Sequence, residues 1–219
     1  VAITEGTYST IKITAPEDLL VAEALLRARI GDDDAELTAS GADDELDSRL
    51  PMKKQGGATV RVGYGYDVHA FADGRRLILG GVEIPADRGL LGHSDADVLL
   101  HAIADALLGA AGLGDIGRHF PDDDPAYKDV SSVKLLAHVH RLLTDQGWRL
   151  GNVDATIVAE RPRLGPYVAD MVHCISETLD IEPEAVNVKA TTSERLGFVG
   201  AGEGIAAHAA VTLFSRVEA

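Results

Sequence analysis

Apolar and polar residues alternate from Val60 to His69, which predicts a β-strand with Asp67 and His69, two apart, on the same face. Residues 76–80 read as a second strand, turning through Gly80 and Gly81 into a segment from Val82 to Pro85. A helix is predicted over 94–111, with Ser94 as N-cap and Asp97 at the third helical position, a capping-box arrangement that sets acid against the positive helix end. On that reading His101 lies two turns into the helix. Residues 112–125 are rich in Gly, Pro and Asp and predict a loop without regular structure. Val133, Leu135, Leu136, Val139, Leu142 and Leu143 recur at helical spacing within 131–146, and Gly147 closes the helix. Residues 153–159 alternate as a strand, 165–179 form a third long helix, and 186–190 and 205–214 are strands. The last is rich in Ala, which suits close packing of sheets or of subunits. The order, roughly ββαβαββ, predicts a layered α/β domain with a mixed sheet and three long helices over 59–219.

The chain upstream has a different character. It opens without Met, and Ile11 to Thr14 read as a strand. Thr14 then serves as N-cap for a helix with Pro16, Glu17 and Asp18 in its first turn and Leu19, Leu20, Ala22, Ala24, Leu25 and Leu26 on its apolar face. Between Gly31 and Ser48 come Asp32, Asp33, Asp34, Glu36, Asp43, Asp44, Glu45 and Asp47 with no basic residue. A stretch so acidic and so poor in large apolar residues does not offset its ordering entropy, so 31–58 read as a flexible linker. The strand and helix of 1–30 are expected to be mobile without a partner surface.

At 219 residues and 46% hydrophobic, the chain has ample material for a packed core. No run of 18 apolar residues and no basic-then-apolar leader occurs, so neither a membrane span nor a signal peptide is expected, and cytoplasm is the default location. A net charge of −15 argues against general nucleic-acid binding. The single Cys174 excludes an internal disulfide and reads as a small core residue.

Asp67 and His69 at one strand end, with His101 on the following helix, make a mixed N and O donor set of the kind that holds a catalytic Zn²⁺ with its fourth position open. The same residues would also serve as hydrogen-bonded core groups, and spacing does not separate the two.

Several further blocks decide more. They are Leu90 to Asp95, Gly114 to Gly117, Gly151 to Asp154, Asn187 to Phe198 and Gly202 to Ile205, in one order with the Asp-Val-His stretch. Together they closely resemble the 2-C-methyl-D-erythritol 2,4-cyclodiphosphate synthases over residues 59–219. Residues 1–30 resemble the C-terminal tail of the methylerythritol phosphate cytidylyltransferases, so the natural chain is expected to be bifunctional and this sequence a fragment of it.

The resemblance implies a homotrimer with active sites between subunits. It implies conversion of 4-diphosphocytidyl-2-C-methyl-D-erythritol 2-phosphate to the cyclic 2,4-diphosphate with release of CMP, a step of non-mevalonate isoprenoid biosynthesis. Asp67, His69 and His101 would bind Zn²⁺, and Glu194 would hold Mg²⁺ or Mn²⁺ with the substrate diphosphate. Thr192 and His93 would stabilise the transition state. Thr191, Thr192 and Ser193 would contact phosphate, and Ser94 would contact the substrate. Asp115, Ile116, Gly117, Phe120, Asp122 and Asp124 would grip the methylerythritol hydroxyls, and Ala159, Arg161, Pro162, Arg163, Leu164 and Gly165 would form the cytidine pocket, with Phe198 and Ala201 nearby. Two departures from the family pattern stand out. Leu164-Gly165 replaces bulkier pairs, and Ala201 stands where Arg is usual, which puts in doubt an anion or isoprenoid diphosphate near the trimer axis. Two other readings remain: a metal-dependent phosphohydrolase using water, and a non-catalytic trimeric scaffold for an upstream transferase.

Overall fold

The computed structural model describes residues 59–121 and 123–215. The expectations for 1–58, and for Asp122, lie outside the described residues.

Five strands form a mixed sheet in the order β4-β1-β7-β5-β6. They are β1 (Val60–Ala72), β4 (Gly89–Leu90), β5 (Trp148–Val158), β6 (Val186–Thr191) and β7 (Gly204–Ser215). Only β5 and β6 run parallel; the other neighbours are antiparallel. A separate hairpin joins β2 (Leu77–Leu79) to β3 (Val82–Ile84). The helices are α1 (Val98–Ala111), α2 (Ile116–His119), α3 (Ser132–Asp145), α4 (Val168–Leu179) and α5 (Gly197–Gly200). The predicted three long helices are α1, α3 and α4. The strand predicted to begin at residue 153 starts at Trp148, because a register shift between Leu150 and Asn152 lets the chain stay paired through an interrupted pattern. The loop predicted over 112–125 contains the short α2, whose N-cap Asp115 accepts the Arg118 N–H at 2.9 Å.

Helix α1 is buried nearly all round, between the sheet on one side and α3 on the other. Its close seat on β1 depends on two glycines. A Cβ on Gly63 would lie 1.8 Å from the Ala106 carbonyl oxygen, and one on Gly65 2.0 Å from that of Ala102. Two strand residues advance about 6.8 Å and four helical residues about 6 Å. The pairing of 63 with 106 and 65 with 102 therefore continues to Asp67 opposite the first turn of α1, where His101 sits.

That helix starts later than its sequence suggests. Its N-cap is Asp97, not Ser94, and Ala96 at φ 59° keeps the preceding residues out of the helix. His101 is thus one turn in, and His93 and Ser94 belong to the loop after β4. Asp97 is fully buried and also ties the hairpin to the helix. Its Oδ1 accepts from the N–H groups of Gly80, Leu99 and Leu100 at 2.9, 3.2 and 3.1 Å, and its Oδ2 from Gly81 at 2.7 Å. Burial pushes its pKa up to about 6 against the pull of those donors.

Helices cover one face of the sheet. On the other, Val60, Val62, Tyr64, Tyr66 and Val68 of β1 are exposed, Val62 at 71% and Tyr64 at 65%. No helix of the described residues is long and apolar enough to cross a membrane.

Replacing Gly65 with Ala drives a methyl group into the backbone of α1. Stability is expected to fall by about 3 kcal/mol and Tm by about 10 °C, as read by thermal melting.

Candidate active site

Asp67 and His69 share the helix-facing side of β1, and the turn of α1 above them supplies His101. Asp67 Oδ2 lies 3.0 Å from His69 Nε2 and 3.0 Å from His101 Nδ1, and the two ring nitrogens are 3.1 Å apart. A tetrahedral ion with bonds of about 2.0–2.1 Å spaces its ligands roughly 3.3 Å apart, so this triangle is close to metal-binding size. Two imidazoles and one carboxylate suit Zn²⁺, and side-chain exposures of 12–24% leave one side of the group accessible. His69 Nδ1 donates to the Leu91 carbonyl at 2.7 Å, which leaves the Nε2 lone pair facing the group. Burial raises the Asp67 pKa, but hydrogen bonds and charge from His101 and His69 outweigh it and hold the carboxyl well below the usual carboxylate range. A metal ligand needs that ionised form.

A second cluster gathers at the same end of the sheet, beyond β7 and β5. There Thr192, Ser193, Glu194 and Arg195 follow β6. Glu160, after β5, accepts from Ser193 N–H, Ser193 Oγ–H and Arg195 N–H, each at 3.0 Å. These bonds, the Arg195 N–H first, lower its pKa. They also hold Glu194 and Arg195 in the left-handed region, at φ 54° and 64°. Thr192 Oγ1 donates to Glu194 at 2.8 Å. Gly200 packs against the same turn, where a Cβ would fall 2.0 Å from the Arg195 carbonyl carbon. The turn borders a cavity of about 980 Å³ whose lining includes Thr192, Ala201 and four arginines, Arg88, Arg161, Arg163 and Arg195, against Asp87 and Glu160. That excess of guanidinium suits an anion. The metal group does not line this cavity.

The YgbB family model matches residues 60–214. The chain belongs to the YgbB family.

Among its relatives, the 2-C-methyl-D-erythritol 2,4-cyclodiphosphate synthase of Geotalea daltonii is 62% identical over 159 residues, 73% of this chain and 93% of the relative. The bifunctional enzyme IspD/IspF of Desulforudis audaxviator is 52% identical over 213 residues. That alignment takes in 97% of this chain, so it includes most residues before Val60, but only 47% of the relative: the chain spans about half the bifunctional protein's length. Among solved structures, bifunctional IspDF from Campylobacter jejuni superposes with a TM-score of 0.71 at 42% identity, over 73% of this chain and 43% of that one. A CDP-bound 2C-methyl-D-erythritol-2,4-cyclodiphosphate synthase does so at 0.65 and 38%, over 70% and 99%.

In this YgbB-family chain the other residues expected at the site lie in several settings. His93 and Ser94 lie beside the metal group, with His93 Nε2 bonded to the Asp124 carbonyl at 3.0 Å and Ser94 Oγ 3.2 Å from His101 Nε2. Asp115, Ile116 and Gly117 form the start of α2, and the Ile116 N–H donates to Asp105 at 2.7 Å. Phe120 is buried, its ring packed edge-on to Tyr127 and His138, so its side chain supports the loop. Arg161, Pro162 and Arg163 line the cavity, whereas Leu164 is buried. The N–H of Ala159 is already bonded to Thr191. Thr191 ends β6, and Phe198 is exposed on α5. Sequence reasoning missed Asp105 and Glu160, which accept from backbone N–H groups 11 positions away and 33 and 35 positions away respectively.

Glu160→Ala removes the acceptor that holds the 192–195 turn. Exchange of the Ser193 and Arg195 amides is expected to accelerate at least about tenfold in hydrogen-exchange measurements, with the amides of β1 unchanged.

Proposed function

We propose that this chain is a cyclodiphosphate synthase, turning 4-diphosphocytidyl-2-C-methyl-D-erythritol 2-phosphate into the cyclic 2,4-diphosphate and CMP in non-mevalonate isoprenoid biosynthesis. The observation that carries the reading is the Asp67, His69 and His101 group within a YgbB-family domain. An oxygen of the 2-phosphate forms a new bond to the β-phosphorus while the bond from that phosphorus to the CMP oxygen breaks, so no protein nucleophile or water is consumed. The demands on the protein are positioning and charge neutralisation.

Asp67, His69 and His101 would hold Zn²⁺, which would supply a Lewis acid for the diphosphate, and Glu194 would hold Mg²⁺ or Mn²⁺, which would offset phosphate charge. Thr192 and His93 donate hydrogen bonds to the charge that develops on phosphorus oxygens. The arginines of the cavity attract the phosphates, backbone groups of 159–165 read the cytosine edge, and Asp115, Gly117 and Asp124 hold the diol.

The assembly belongs to the same reading. Within one chain β7 and β5 separate the metal group from the Thr192 turn. A homotrimer that buries the exposed face of β1 brings the metal group of one subunit to the nucleotide cavity of the next. The larger natural protein is then a cytoplasmic bifunctional enzyme whose upstream domain transfers the cytidylyl group.

Phosphorus NMR of the reaction with Zn²⁺ and Mg²⁺ should show cyclic diphosphate and CMP in equal amounts, with turnover by His69→Ala lowered at least about 10³-fold. An acyclic product would mean hydrolysis instead. In sedimentation, the parent should run as three chains, and Val62→Asp, which puts a charge on the open sheet face, should shift it towards one.

A further inference from the structure

His101 touches the metal group with one ring nitrogen and two buried hydroxyls with the other, Ser94 Oγ at 3.2 Å and, closer, that of Ser132. Its Nε2 is 2.9 Å from Ser132 Oγ, and Ser132, the first residue of α3, is 1% exposed. The Ser132 hydroxyl in turn makes a short bond to Asp95 Oδ1, and the Ser132 N–H donates to Asp95 Oδ2 at 3.0 Å. Asp95 thereby takes the capping role at α3 that its own N-cap, Ser131, does not fill. A carboxylate only accepts, so the hydroxyl proton of Ser132 points to Asp95. The Ser132 oxygen is left to accept from His101, and the proton of the imidazole is placed on Nε2. Nδ1 then presents its lone pair to the group shared with Asp67 and His69. His69 Nδ1 meets the Leu91 carbonyl, whereas His101 Nε2 reaches a carboxylate through a hydroxyl, and that carboxylate can raise its basicity as a ligand.

We propose that Asp95 and Ser132 are positioning residues for the metal: one hydrogen-bond chain, from the carboxylate through the hydroxyl, fixes His101 as an Nδ1 donor and couples the start of α3 to metal affinity. The inference rests on the metal reading of Asp67, His69 and His101. It adds two residues that touch neither metal nor substrate.

The test is the Zn²⁺ affinity of the metal-free, full 219-residue protein, measured by competition with a chromophoric chelator, alongside melting of each metal-free variant. In Ser132→Ala the backbone N–H still reaches Asp95, so the start of α3 is kept and metal-free melting should match the parent. Its Zn²⁺ affinity should fall by about 10- to 100-fold, while Ser132→Thr, which restores the hydroxyl, should recover most of the loss. Asp95→Asn should weaken binding as well, and the double variant should bind no more weakly than Ser132→Ala alone, because both changes cut the same chain. Affinity of Ser132→Ala within twofold of the parent, equal losses in the Ala and Thr variants, or additive losses in the double variant would each overturn the relay and leave the metal site standing. A parent that holds Zn²⁺ no better than His101→Ala would overturn both.

Discussion

The approach of α1 to β1 at backbone contact is the constraint on which the site depends. Gly63 and Gly65 remove the side chains that would hold the helix off, and the helix settles with its carbonyls against the strand. Strand and helix then advance at nearly matching rates, which brings the first turn of α1 over Asp67 and His69. Three donor atoms meet within hydrogen-bonding distance because two backbones touch elsewhere. The site is positioned by the rigid core, with loops used only to finish it.

Carboxylates carry out most of the remaining organisation, and each works on backbone N–H groups brought from elsewhere in the chain. Asp97 joins the β2–β3 turn to the start of α1, Asp105 fixes the start of α2, and Asp95 caps α3 from outside it. Glu160 holds the turn after β6 in a conformation that non-glycine residues seldom adopt. An ionised acceptor bonded to two or more N–H groups is stronger than a neutral one. Such acids stabilise turns that have little hydrophobic area of their own.

The sheet keeps the metal group and the Thr192 turn apart within one chain. Its helix-covered face carries the metal group near one edge, while the hydroxyl-rich turn lies beyond two further strands, and the arginine-lined cavity runs from Phe71 and Arg88 to that turn. The face away from the helices exposes a row of valines and tyrosines on β1. An exposed apolar strip of this kind fits the subunit contact proposed above. In the proposed trimer, burial of the strip and completion of the site are a single event, so assembly and activity are linked.

Much of this is legible in the sequence. Alternation along β1 placed Asp67 and His69 on one face, apolar spacing marked α3 and α4, and the Thr-Thr-Ser-Glu run stood at a strand end. These are local properties: strand and helix periods are set by backbone geometry, so residues a few positions apart reveal their shared face. The true start of α1 was not legible. Ser94 and Asp97 both have capping chemistry, and the choice fell to Asp97 because its carboxylate also receives Gly80 and Gly81 from a hairpin that only packing brings there. Nor could sequence disclose that Ser132 reaches His101, that Glu160 grips the 193–195 backbone, or that the Phe120 ring is spent on Tyr127 and His138. Each joins partners brought together by the packing of separate elements. Residue type and period determined which groups could do chemistry here; the three-dimensional fold decided which of them meet.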